Sequence, residues 1–135
     1  ECVEDENRDR LKRIGVKSVI RPIRSYPEIL VRAMESPGAE VLIEDMFTRA
    51  GDHFLRFPLW LEGDQWRDVV TAMISANIGT PLAYVSKEGK VCNHPAGEEK
   101  IYGQSIIMLV RTDSIPTEAK VTEAFRSYHS HQLSA

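Results

Sequence analysis

The sequence has no run of the ~18 consecutive apolar residues that a membrane-crossing helix needs, and its first residues carry no signal-peptide pattern. Cysteine is scarce. Cys2 and Cys92 are the only two, too few for a disulfide framework, and two free thiols in a reducing compartment are expected over a pair. Basic excess is also lacking: the formal net charge is -3, and no basic stripe with interleaved aromatics occurs, which removes the usual reason to expect a nucleic-acid surface. Neither a G-x-G-x-x-G turn nor a P-loop lysine motif is present, so the glycine-built cradles for pyrophosphate are excluded. There is no internal repeat and no low-complexity tract. What is present is a chain of 135 residues, 42% hydrophobic and 27% charged, enough for one compact domain or two small lobes.

Residues 4–14, "EDENRDRLKRI", lead with acids and follow with bases, as the helix dipole favours, with Leu11 and Ile14 on one face and Gly15 where a C-terminal cap glycine belongs. Val16 to Ile20 reads as a short strand, and Glu1 to Val3 as the end of a preceding one. Ser25-Tyr26-Pro27-Glu28 is a capping box, with Pro27 at a first-turn position where no amide is needed. Ile29, Leu30, Ala33 and Met34 then form an apolar stripe. Ser36-Pro37-Gly38 interrupts it, with Ser36 expected to cap a second helix carrying Val41, Leu42 and Met46. Two amphipathic helices joined by a tight turn need a cover, either the sheet of their own domain or a second subunit. With so little sheet nearby, the subunit interface is the favoured reading.

Ala50-Gly51-Asp52 marks a boundary. "HFLRFPLWL" (53–61) alternates in part and reads as a strand that Pro58 confines to an edge or a bend. Asp64 is expected to cap a helix on Trp66, Val69, Val70, Met73 and Ile74, the clearest helical periodicity in the chain, with Gly79 closing it. Lys87-Glu88-Gly89 signals a hairpin. "QSIIMLVR" (104–111) reads as a buried strand, and a last helix rests on Val121, Ala124, Phe125 and Tyr128. The second lobe is therefore β-α-β-β-β-α, a small α+β unit.

Chemistry is sparse. Ser105 and Ser114 look like element boundaries, with no motif pairing them to a base. The one compact polar cluster is "VCNHPAGEE". On a strand Cys92 and His94 would share a face and reach one soft metal, but two ligands are too few; His129 and His131 repeat the spacing on a helix, which splays them. His94-Pro95 reads equally well as a plain turn, and "GEE" (97–99) as a solvated loop. Asn93, His94 and Glu98 are the candidate ligand contacts. Lacking a catalytic constellation, the sequence favours a binding or regulatory module over an enzyme; a small oxidoreductase would need a nucleotide site that it does not contain.

The order of these pieces, "RLKRIGVKSVIRP", a helix-turn-helix, then a lobe ending "GKVCNHPAGEEKIYGQSIIMLV", resembles the RCK (regulator of potassium conductance) domain of prokaryotic potassium channels. The family segment L-x-x-x-G-x-x-x-V-I-x-P is matched by Leu11, Gly15, Val19, Ile20 and Pro22, and Gly89, Pro95 and "YGQSII" stand in the places of the family's hairpin, proline loop and strand start. Gln104 departs from it, standing where the family often has an acid. The resemblance implies an α/β plus α+β chain. Residues 1–24 would be the C-terminal remnant of a Rossmann-like lobe that begins upstream. Residues 25–50 would be a crossover helical hairpin, and 51–135 a peripheral α+β lobe. It implies a homodimer held by Ile29, Leu30, Ala33, Met34, Val41, Leu42 and Met46, assembling into a gating ring attached to a pore domain at the cytoplasmic face of the inner membrane. No cofactor is expected within this stretch, and nucleotide binding is not carried over to it; the resemblance leaves a divalent cation or nucleotide open for the full-length protein, and Glu1 falls near the place of a family cation ligand. The alternative is a free-standing small-molecule-binding subunit of a Trk/Ktr-type uptake system.

Overall fold

The structure, a computed structural model, describes residues 5–16, 27, 30–31, 34–48 and 50–133. The chain divides into two units, residues 1–45 and 46–135. Glu1, Ile29, Ala33, the expected strand after Val16 and all of the capping box except Pro27 lie outside the described residues.

Helix α1 spans Asp5–Arg13, with Arg10, Lys12 and Arg13 in its last turn. It ends as the sequence predicts. Gly15 takes a φ of 91°, its N–H donates to the Lys12 carbonyl, and the Val16 N–H donates to the Leu11 carbonyl. That pair of bonds is a Schellman closure, and the left-handed residue it requires is why glycine stands there. Leu30, Val31, Met34 and Glu35 are helical. Helix α2 spans Ala39–Phe47 and begins later than Ser36 capping would place it. Pro37 and Gly38 form the turn, the Gly38 N–H donates to Glu40 Oε2 at 2.7 Å, and the Ala39 N–H donates to the Ser36 carbonyl. The Glu40 carboxylate thus supplies the acceptor expected from Ser36. No residue of α2 is buried.

The second unit contains β1 (His53–Gln65), α3 (Trp66–Ser75), β2 (Thr80–Ser86), β3 (Val91–Asn93), β4 (Lys100–Val110) and α4 (Glu118–Leu133). The order matches the β-α-β-β-β-α reading. The four strands form one antiparallel sheet in the order β1-β4-β2-β3. Among the described residues the fold is therefore mixed α+β, and no helix there is long and apolar enough to cross a membrane.

Strand β4 is central, which explains its unbroken apolar run, Ile106 to Val110. Along β1, Phe57, Leu59 and Leu61 are buried while Arg56, Pro58 and Trp60 are exposed, the period-2 pattern of a sheet covered on one face. β1 is an edge strand, the position in a sheet where proline is tolerated, and its register with β4 shifts between Pro58 and Leu61. On the covered face Leu61, Val69, Met73, Ile101, Ile106, Met108 and Val121 are fully buried; each such aliphatic side chain contributes roughly 1.5–3 kcal/mol.

Helix α3 turns Trp66, Val69, Ala72 and Met73 inward. Ile74, expected in that stripe, is 54% exposed, because the buried arc is centred one position earlier and Ala72 takes its place. The helix is closed by Asn77 and not by Gly79. Asn77 has a φ of 54°, its N–H donates to the Ile74 carbonyl, and the Ile78 N–H donates to the Met73 carbonyl. Gly79 is needed for space, since a Cβ there would lie 2.8 Å from the Leu109 carbonyl oxygen. Ser105 is no element boundary either: it is buried in mid-strand, where its hydroxyl accepts a bond from Arg56 Nε at 2.7 Å.

Candidate functional site

The loop singled out from the sequence follows β3. Asn93 is the last residue of that strand, paired with Ala83, and is exposed. His94 has a φ of 47°, and its N–H donates to the Leu82 carbonyl at 2.8 Å. The strand thus ends before His94 and the backbone turns there, which removes the shared strand face that a Cys92–His94 metal pair would need. Among the described residues no group of three or more His, Cys, Asp and Glu side chains is placed to hold a metal ion. Glu98 is exposed.

The same loop does structural work on α3. The Trp66 N–H donates to the Glu99 carbonyl at 3.0 Å and the Arg67 N–H to the Gly97 carbonyl at 2.9 Å. Two of the amides that a helix start leaves unmatched are therefore met by a distant backbone segment. Glu99 stiffens that segment: its N–H donates to the Ala96 carbonyl, and its carboxylate accepts the Ala96 N–H. Asp64 is thereby relieved of the capping role expected of it; Gln65 occupies the N-cap position and makes no side-chain cap bond. The Asp64 carboxylate instead accepts the Glu62 N–H at 2.8 Å and lies 3.2 Å from His129 Nε2, linking the end of β1 to α4. The His129 ring also packs edge-on against Phe125, with 4.5 Å between centroids.

Behind the loop, Tyr84 and Cys92 are cross-strand partners on β2 and β3. The hydrogen bond to the Cys92 sulfur pushes the Tyr84 phenol up to about 12, with burial and the nearby Glu99 carboxylate adding to it. All three influences disfavour a phenolate, so Tyr84 is held neutral and is a poor acid–base catalyst near neutral pH. On the opposite face of the sheet, Lys87 Nζ sits 2.6 Å from Glu62 Oε1 and 5.0 Å from the Trp60 ring centroid. Bonds from Lys87 and from the Trp60 indole hold the Glu62 carboxyl below its ordinary value.

Of the residues expected to form a subunit interface, Leu30, Met34, Val41 and Leu42 are exposed by 55%, 84%, 65% and 57%, and Met46 is half-buried.

A feature that sequence reasoning missed lies on the helical layer. Between α3 and α4, and closed at one end by the loop after β4, runs a groove of about 720 Å³. Ala72 of α3, Ala76 at its C-cap, and Ala124 and Ser127 of α4 line it, together with Arg111 and Lys120. Arg111 belongs to a loop and Lys120 to a helix, and no spacing rule connects them, so only the folded backbone brings them together. No family model matches this chain, and no curated protein matches it.

Proposed function

We propose that this chain is a regulatory domain of a potassium channel, acting on the cytoplasmic side of the membrane and assembling as a homodimer through its paired N-terminal helices. The observation that carries the reading is helix α2, nine residues long with no residue buried, on which Val41 and Leu42 are more than half exposed. An amphipathic helix earns its stability by burying its apolar face, and a second copy of the same segment would cover this one. The order of α1, its glycine closure, the helical turn at 36–38 and the α+β lobe is the order implied by the RCK resemblance. Regulation would follow from a ligand that binds one arrangement of the helices more tightly than another, since only differential affinity shifts such an equilibrium.

Light scattering over a range of protein concentrations tests the proposal. A mass near twice 15.3 kDa is expected, falling to the monomer value in Leu42→Asp. A monomer in the unaltered chain, or a dimer that survives the substitution, overturns it.

A further inference from the structure

We propose that the groove between α3 and α4 is a binding site for a small organic anion, a flat apolar body carrying a carboxylate or phosphate group. The inference rests on reading the lobe as a sensor and supplies the ligand class that reading lacks.

Three observations converge. The volume, about 720 Å³, lies within the range of small-molecule sites, roughly 300–1,000 Å³. Part of the lining is apolar and small: Ala72, Ala76 and Ala124, with Ile78 and Tyr128. Larger residues there would let the helices meet and close the gap.

The third observation concerns charge. Lys120 stands in the first turn of α4, where the helix dipole is positive and a cation is disfavoured, and it makes no ion pair among the described residues. Arg111 faces the same groove and is only loosely engaged, its Nε 3.7 Å from Asp113 Oδ1 and a terminal nitrogen 3.4 Å from Ser114 Oγ. Lys120 breaks, at the positive end of its helix, the local rule that stability alone would impose, and a second cation, Arg111, lines the same groove. An anion held between them would restore it. Glu123 lines the groove one turn further along α4, with His131 beyond it, so the anionic group belongs at the Arg111 end and the uncharged body over the alanines. The hydroxyls of Ser75, Ser114 and Ser127 supply donors along the way.

Titration of the isotopically labelled full chain, followed by amide NMR, tests this. The probes are adenosine monophosphate and indole-3-acetate, with inorganic phosphate and the neutral adenosine and indole as references. The expected result is saturable shifts at millimolar concentrations for at least one organic anion, confined to residues 72–78, 111–116 and 120–131. Its affinity should fall about tenfold in Lys120→Gln and again in Arg111→Gln, the size of a lost charge-assisted bond, with the rest of the spectrum unchanged. Which of the two anions binds separates a phosphate from a carboxylate ligand. No shift with either anion, shifts centred elsewhere, binding indifferent to both substitutions, or equal binding of the neutral references overturns the proposal. Light scattering on the same sample distinguishes that failure from failure of the assembly reading.

Discussion

Helices α2 and α3 are of nearly equal length and both carry apolar side chains at helical spacing, yet they end in opposite environments. α3 buries Trp66, Val69, Ala72 and Met73 against the sheet. On α2 no residue is fully buried: Ile43 and Met46 are half-buried, and Val41, Leu42 and Phe47 are 65%, 57% and 80% exposed. The contrast teaches what hydrophobic periodicity does and does not say. It marks a face that gains free energy when covered, and it is silent on whether the cover belongs to the same molecule. For α3 the cover is a sheet formed by residues on both sides of it in sequence. For α2, Val41, Leu42 and Phe47 stay mostly exposed among the described residues, the kind of apolar surface that the assembly proposed above would cover.

The comparison can be broken most forcefully from the buried side. Met108 is fully buried on the central strand, so Met108→Ala should lower the unfolding free energy in urea by about 2–5 kcal/mol; a loss under about 1 kcal/mol would mean the lobe is not the tightly packed unit described. Gly79→Ala comes next. Its Cβ would meet both the Leu109 carbonyl oxygen and, at 3.0 Å, Val110 Cγ1, and overpacking of this kind costs about 1–3 kcal/mol. Tyr84 offers a finer probe. Its phenol is raised from 10.0 to about 12 by the Cys92 bond and burial. The raised group's contribution is present in full below the unfolded-state value and is lost as pH climbs toward the folded one. Stability should therefore decline between pH 10 and 12, and Tyr84→Phe should flatten that decline when melting temperature is followed against pH. The smallest effect is expected at α2: Leu42→Asp should move unfolding of the lobe by less than about 0.5 kcal/mol, measured at protein concentrations low enough to exclude association. A large shift there would erase the distinction between the two helices.

Much of the lobe was legible because its signals are local. The alternation of "HFLRFPLWL", the stripe on Trp66, Val69 and Met73, and the turn at Lys87-Glu88-Gly89 each needed only a short window. The capping of α3 was not legible, because its acceptors are backbone carbonyls of Gly97 and Glu99, and backbone atoms leave no trace in residue identity. Asp64 was the reasonable choice by rule, and it was drawn instead toward His129 on α4. Asn77 took the closing role expected of Gly79 because an asparagine tolerates the left-handed conformation, while β4 packs too close to Gly79 for any side chain. Ser105 reads as punctuation only when Arg56 is not known to lie beside it. The groove was invisible for a plainer reason: it consists of small residues, whose significance comes from what they leave empty.

Pro58 has a consequence for assembly. It stands within a thirteen-residue outer strand and offers no amide hydrogen, and the ladder loses register just after it. A proline on such an edge interrupts the template that a neighbouring molecule's strand would copy. On the β1 side of the sheet, strand addition by another molecule therefore meets a break in the ladder at Pro58, and edge-to-edge growth from that side is discouraged.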